Sequence, residues 1–298
     1  MIHYFSPFLI ASAIFAAEPS LQSLLDALPY TYTDEVSLDK IGGGQTNQNY
    51  KATIDLKSYF IRSRGDHNKL LGSSLEKEWI CTAIASAAGI APRVVSYVPA
   101  EGIMVCEFIE SQKVDLLAPM TMERYGALLR SLHTLDAKFP SQFCPFECIQ
   151  QLTDNAHEVK AKLPEQFEAK ILPQVEALRK KFIPCKQRVP CHLDLHQGNV
   201  LDNGHRMWLI DWEYAAMADP FFDLATLASA DHFTKQDMDK FLEVYLGRVP
   251  SFRERARFDD MRFLADVRWA LWSYIQAVIS ELDEPFQEYG DAFLKLYL

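Results

Sequence analysis

The sequence has no basic cluster, no paired cysteine spacing and no apolar run long enough to span a bilayer, and each absence removes a class of function. Its 30 Lys and Arg are outnumbered by 40 Asp and Glu, for a formal net charge of −10, which argues against a nucleic-acid or anionic-membrane partner. The six cysteines (Cys81, Cys106, Cys144, Cys148, Cys185 and Cys191) are scattered through mostly apolar surroundings. That excludes a zinc ribbon or a secreted disulfide scaffold and predicts reduced, buried thiols. The apolar run at residues 5–17 has no Lys or Arg before it and no small-x-small cleavage site after it, and it is too short to cross a bilayer as a helix. It is similar to the apolar region of a signal peptide and is expected to be an extra packing helix or a start placed too early, with a true signal as the remaining alternative. What remains is a globular composition, 49% hydrophobic and 23% charged over 298 residues, enough for one large core or two modest ones.

The most informative stretch is Cys191-His192-Leu193-Asp194-Leu195-His196-Gln197-Gly198-Asn199-Val200-Leu201, whose core reads H-x-D-x-x-x-x-N. Asp211 stands 12 positions after Asn199, directly behind the apolar Met207-Trp208-Leu209-Ile210. Phosphoryl transfer needs one carboxylate to orient and deprotonate the attacking hydroxyl, and two more oxygen ligands to hold Mg²⁺ against nucleotide phosphates. Asp194 fits the first task; Asn199 and Asp211 fit the second. Two short strands around the turn Asp202-Asn203-Gly204-His205 would bring Asn199 and Asp211 to the same end of a hairpin. His192 is expected to be structural, its ring bonded to nearby backbone. Two other readings stay open: a metal cluster of His192, Asp194 and His196 on one face of an extended segment, which lacks a further His or Cys pair nearby, and a polar loop without chemistry.

Helical spacing of Leu21, Leu24, Leu25 and Leu28 predicts a short first helix. Strands follow over 36–41 and 50–54, flanking Gly42-Gly43-Gly44-Gln45-Thr46-Asn47-Gln48-Asn49, either a phosphate-approaching loop or a flexible hairpin. A strand at 59–62, a helix at 76–88 closed by Gly89, and strands at 94–98 and 102–109 complete this part. From residue 121 the pattern is helical. Helices are expected over 122–135, in two pieces across 148–182, over 237–245 and over 262–282, the last carrying Trp269 and Trp272 on one face.

The runs "CHLDLHQGNVL" and "LIDWEYAAMADPFFDLA" resemble the aminoglycoside phosphotransferase and choline kinase superfamily, in particular bacterial choline kinases and thiamine kinases. The resemblance covers roughly residues 37 to 285 and implies an α+β, two-lobed protein-kinase-like fold. Residues 1–112 would form the nucleotide-binding lobe, with 1–30 as an extra helical segment, and residues 113–298 the catalytic and substrate lobe. It further implies a nucleotide loop in "GGGQTNQNY" with Gly43, Gly44, Thr46 and Asn47, Arg62 on the phosphates with Glu78 as its partner, and an adenine hinge at Glu107, Phe108 and Ile109. Arg64, two residues on from Arg62, competes for the same assignment, and Glu78 read alone is a helix N-terminal acid.

By the same resemblance Asp223 braces the catalytic loop, His192 and Asn199 accompany Asp194 within it, and Glu213 and Tyr214 lie at the substrate. Trp269 and Trp272 would cap a trimethylammonium by cation–π contact, where without the resemblance they read as core. The implied reaction is ATP- and Mg²⁺-dependent phosphorylation of a small cationic alcohol, most of all choline, in the cytoplasm, without nucleic acid and without stable membrane association. Eukaryotic members carry a glutamate in the helix after the position of Asp223, where this chain has Thr226-Leu227-Ala228-Ser229-Ala230-Asp231. Thiamine and ethanolamine are therefore rival substrates. Aminoglycosides fit less well, because the C-terminal region offers aromatics rather than acids, and a ligand-binding pseudokinase is disfavoured by the intact Asp194, Asn199 and Asp211.

Overall fold

A computed structural model of the chain describes residues 21–28, 36–41, 47–54, 56–64, 75–183, 188–231, 233–280 and 283–298. Gly43, Gly44 and Thr46, the side chains of Asn47 and Arg64, Cys185 and the apolar run 5–17 lie outside what it describes. The described residues divide into two units. A sheet unit takes the chain up to Asp115 together with Gly198–Ala215, and a helical unit takes Leu116–Gln197 and Ala216–Leu298.

The sheet unit is built on five antiparallel strands, β1 (Val36–Ile41), β2 (Asn47–Ile54), β3 (Lys57–Arg64), β4 (Val94–Val98) and β5 (Ile103–Glu107), in the order β1-β2-β3-β5-β4. Side chains alternate faces along a strand, and the apolar residues follow that period. Tyr50, Ala52 and Ile54 of β2, Tyr59 and Ile61 of β3, and Ile103 and Val105 of β5 are buried in one cluster. Leu24, Ala27 and Leu28, from α1 (Leu21–Asp26) and the turn after it, join that cluster. Arg62, one step out of phase with Ile61, is paired with Met104 across β5.

After α2 (Leu75–Ala87) the chain turns at Gly89, whose φ is 73°. A Cβ there would lie 2.1 Å from Arg206 Nη2, and the same guanidinium donates to the Gly89 carbonyl at 2.5 Å. Arg206 belongs to the turn between β7 (Val200–Asp202) and β8 (Met207–Leu209), so glycine at 89 lets this hairpin dock. Leu209 N–H donates to the Ile90 carbonyl and Gln112 N–H to the Asp202 carbonyl, each at 2.8 Å. These bonds explain why a segment far along the sequence belongs to the sheet unit.

The helical unit contains α3 (Pro119–His133), α4 (Pro145–Glu158), a π turn (Phe167–Ile171) leading into α5 (Leu172–Phe182), α6 (Pro220–Ala230), α7 (Lys235–Leu246), α8 (Phe252–Ile279) and α9 (Phe286–Leu294). Strands β6 (Val189–Cys191) and β9 (Ala216–Ala218) pair antiparallel on either side of residues 192–215. α8 packs against α4, α6 and α9. Phe146 of α4, Phe222 of α6 and Leu271 of α8 itself are at most 1% exposed, each contributing about 1.5–3 kcal/mol by burial.

The expected C-terminal helix begins ten residues earlier than residue 262, at Phe252. Ser251 and Glu254 form a capping box there, and Arg248 meets both Glu254 oxygens at 2.7 and 2.9 Å, satisfying amides that otherwise fray. α9 was not expected from the sequence. Gly290 lets it lie on Tyr274, since a Cβ would come within 2.4 Å of that ring. No described helix is long and apolar enough to cross a membrane.

Candidate active site

In the helical unit residues 192–197 are anchored by α6. Asp219 caps that helix through the Phe221 N–H at 3.0 Å, and Pro220 at its first position suits a site with no partner for an N–H. One turn in, the fully buried Asp223 accepts the His192 N–H on Oδ2 at 2.8 Å and the Leu193 N–H on Oδ1 at 2.7 Å. Its third partner is His133, with Nε2 at 3.0 Å from Oδ2, while Nδ1 meets the Tyr245 hydroxyl at 2.8 Å. The ionised carboxylate accepts only, so Nε2 carries a proton. Burial works against the charge of Asp223, but the bonds from His133 and the His192 amide outweigh it and hold its carboxyl below the usual range.

Leu193 has φ 66°, a left-handed conformation that costs a non-glycine residue about 1 kcal/mol. It presents Asp194, 9% exposed, as the next residue. At the far end of the loop Asp231, the C-cap of α6, accepts the Gln197 N–H at 3.0 and 3.3 Å. One helix thus pins the loop at both ends with two carboxylates. Asp231 therefore has a backbone partner, a role the sequence left open.

His192 is fully buried. The described His, Cys, Asp and Glu residues whose ligand atoms converge within 4.8 Å are His133, Cys191 and Asp223, a group without His192, Asp194 and His196. The metal-cluster reading of the loop therefore lacks its geometry. His133 spends both nitrogens on Tyr245 and Asp223, and burial pushes the Cys191 thiol well up, so this group is a hydrogen-bonded core rather than a metal site.

Trp269 and Trp272 of α8 are half-buried and meet edge to face, centroids 5.9 Å apart at 81°. Phe286 of α9 extends the cluster, 5.9 Å from Trp272 at 79°. Sequence reasoning missed Phe286. Its signal was the Phe-x-x-Tyr spacing with Tyr289, whose rings stand 6.1 Å apart.

In the sheet unit Arg62 is 5% exposed and bonds Glu78 Oε1 at 2.5 Å and Asp211 Oδ1 through both Nη1 and Nη2 at 3.1 Å. Burial opposes the charge on Arg62, but Glu78, Asp211 and Glu213 outweigh it and fix the guanidinium as a cation. Burial pushes Glu78 up, to about 7, against the pull of Arg62.

Asn199 immediately precedes β7, and its carbonyl accepts the Ile210 N–H at 3.1 Å. Asp211 follows with φ 67°, so the hairpin brings these two residues to one end. An amide oxygen and a carboxylate are the hard oxygen donors that suit Mg²⁺. Both Arg62 contacts fall on Asp211 Oδ1, which leaves Oδ2 for a cation. Glu213 and Tyr214 are half-buried beyond it, and Trp212 is locked beneath them by its indole N–H on the Leu209 carbonyl at 3.1 Å. Of the hinge residues, Glu107 N–H is spent on Arg93 and Phe108 N–H on Ser58, at 2.8 and 3.1 Å.

The family model described as the phosphotransferase enzyme family matches residues 37–260. Protein LicA of Haemophilus influenzae is 26% identical over 267 residues, 85% of this chain and 76% of that protein. A solved choline/ethanolamine kinase family protein from Mesorhizobium loti superposes with a TM-score of 0.78 at 26% identity, covering 92% of this chain and 91% of the other. The choline kinase LicA of Streptococcus pneumoniae gives a TM-score of 0.72 at 26% identity over 88% and 93%.

Proposed function

Because the chain belongs to the phosphotransferase enzyme family, we propose that this small-molecule kinase transfers the terminal phosphoryl group of ATP to the hydroxyl of choline. The observation that carries the acceptor reading is the half-buried, edge-to-face pair Trp269 and Trp272. Half-buried rings keep part of their surface for a ligand, and a quaternary ammonium is drawn to an aromatic face without needing a hydrogen-bond acceptor. The names of the M. loti and S. pneumoniae relatives support the same class. Ethanolamine is the second reading, since the M. loti protein is described as a choline/ethanolamine kinase family protein.

In this reaction Asp194 orients the choline hydroxyl and takes its proton as the oxygen bonds phosphorus. Asp223 and Asp231 keep the loop from moving while it does so. Arg62, held charged among Glu78, Asp211 and Glu213, is the cation available to the phosphates. Asn199 and Asp211 would hold Mg²⁺, which when bound neutralises charge on the nucleotide phosphates. The loop around Gly43, Gly44, Thr46 and Asn47 would cover the phosphates, and Glu107 to Ile109 would meet the adenine. Glu213 and Tyr214 lie near enough in sequence to Asp211 to meet the acceptor. Consumption of ATP places the reaction in the cytoplasm, with no nucleic acid or membrane required.

ADP release measured with choline, ethanolamine, thiamine and kanamycin tests the reading. Turnover greatest with choline supports it; turnover with kanamycin alone removes it.

A further inference from the structure

We propose that Arg268 is a positioning residue that couples the aromatic pair to the catalytic loop. Its guanidinium holds the Leu193 carbonyl, one residue before Asp194, and covers one face of the Trp269 ring. The inference rests on reading Asp194 as the base and Trp269 with Trp272 as the seat of the acceptor's cation.

Arg268 lies on α8 and is only 8% exposed, and a cation so buried needs specific partners. Nη1 donates to the Leu193 carbonyl at 2.8 Å, and Cζ stands 4.8 Å from the Trp269 ring centroid. The same side chain lies 6.0 Å from the Phe143 ring centroid and bonds Cys148, so it is wedged from α4 as well.

The Leu193 residue is consequently held at both amide ends. Its N–H goes to Asp223 at 2.7 Å and its C=O takes Arg268, while its φ of 66° is one that leucine leaves when released. Release at the carbonyl end turns the peptide plane between Leu193 and Asp194 and with it the carboxylate. Arg268 already occupies one face of Trp269, so a ligand cation reaches that indole from the other face. A tilt of the ring on binding shifts the guanidinium and reaches the carbonyl in front of Asp194. Substrate cation and catalytic base then share one side chain as their physical link.

Arg268→Lys and Arg268→Met in the full chain test this. Lysine keeps the charge and a hydrogen-bonding ammonium, so it is the variant expected to fold without loss. The expected result is a fall in kcat with choline of about ten-fold for Lys and about a hundred-fold for Met, the scale of a misplaced reacting group. The KM for ATP stays constant. Amide hydrogen exchange over residues 192–197 quickens in both variants, while exchange in α7 (Lys235–Leu246) does not change. A double-mutant cycle of Arg268→Lys with Trp269→Leu, read in kcat/KM for choline, should give a combined loss smaller than the product of the single losses.

Wild-type kcat in Arg268→Lys, or lost kcat with unchanged exchange at 192–197, overturns the positioning role. Exchange quickened equally in α7 also overturns it, since that marks general loosening. Strictly multiplicative losses in the cycle overturn the link to the ring. Should the wild-type chain fail to turn over choline, the acceptor reading falls, and the exchange data still decide whether Arg268 holds the loop.

Discussion

Asp223 Oδ1 accepts the amide proton of Leu193 at 2.7 Å, and Leu193 at that point has φ 66°. The bond and the strained conformation belong together. A carboxylate that accepts backbone N–H groups offsets the cost of the left-handed turn, and the turn presents Asp194. Asp223→Ala would leave the His192 and Leu193 amides and the His133 ring without their acceptor. Each unmet buried donor costs about 1–3 kcal/mol. The urea midpoint should fall well below wild type and kcat with it.

The same carboxylate sets an acid dependence. Its folded pKa lies below the ordinary value of 3.8, so its contribution to stability is fully present above that value and is lost as pH falls through the folded pKa. Urea unfolding of wild type and Asp223→Asn should show a constant gap at neutral and mildly acid pH, narrowing only below about pH 4. A gap that closes between pH 5 and pH 7 contradicts the assignment.

Replacing Asp194 by Ala removes the proposed base and leaves the proposed nucleotide-binding residues of the sheet unit unchanged. Turnover should fall by about 10²- to 10⁴-fold. Calorimetric titration with a non-hydrolysable ATP analogue should give a Kd close to wild type. Retained turnover removes Asp194 from the chemistry.

Asp211→Ala should act the other way round. It deletes one of two oxygen donors at the end of the hairpin and one of the two carboxylates bonded to Arg62. The Mg²⁺ concentration giving half-maximal rate should rise and ATP binding weaken, while the KM for the acceptor is little altered. An unchanged Mg²⁺ titration places the metal elsewhere.

Trp269→Leu and Trp272→Leu keep most of the apolar volume and delete the π-face. A cation–π contribution of about 1–2 kcal/mol corresponds to a rise of roughly five- to thirty-fold in KM for choline at constant KM for ATP. Equal losses in both, with a lower thermal midpoint, identify the rings as core.

The spacing of Asp194, Asn199 and Asp211 was legible because it is local: a hairpin of a few residues fixes how two of the three meet. The β-period of Tyr50, Ala52, Ile54, Tyr59 and Ile61 was legible for the same reason, since alternation is written into consecutive residues. Contacts of Asp231 with Gln197 and of Arg268 with Leu193 were not, being side-chain bonds to a backbone 34 and 75 residues away. No periodicity records such pairs. The early start of α8 was marked by Ser251 and Glu254, a capping box obscured by the charged run Arg253-Glu254-Arg255. Attachment of residues 198–215 to the sheet unit depended on backbone bonds to Ile90 and Gln112, groups every residue carries and no sequence pattern announces.

The most direct measurement follows the phosphoryl group itself. Incubating the chain with ATP, Mg²⁺ and equal concentrations of choline and ethanolamine and recording ³¹P NMR spectra identifies the product without a coupling enzyme. The account predicts a phosphocholine resonance growing with the ADP signal, ahead of phosphoethanolamine, and absent with Asp194→Ala. Phosphoethanolamine as the main product, or ADP appearing with inorganic phosphate alone, would contradict it.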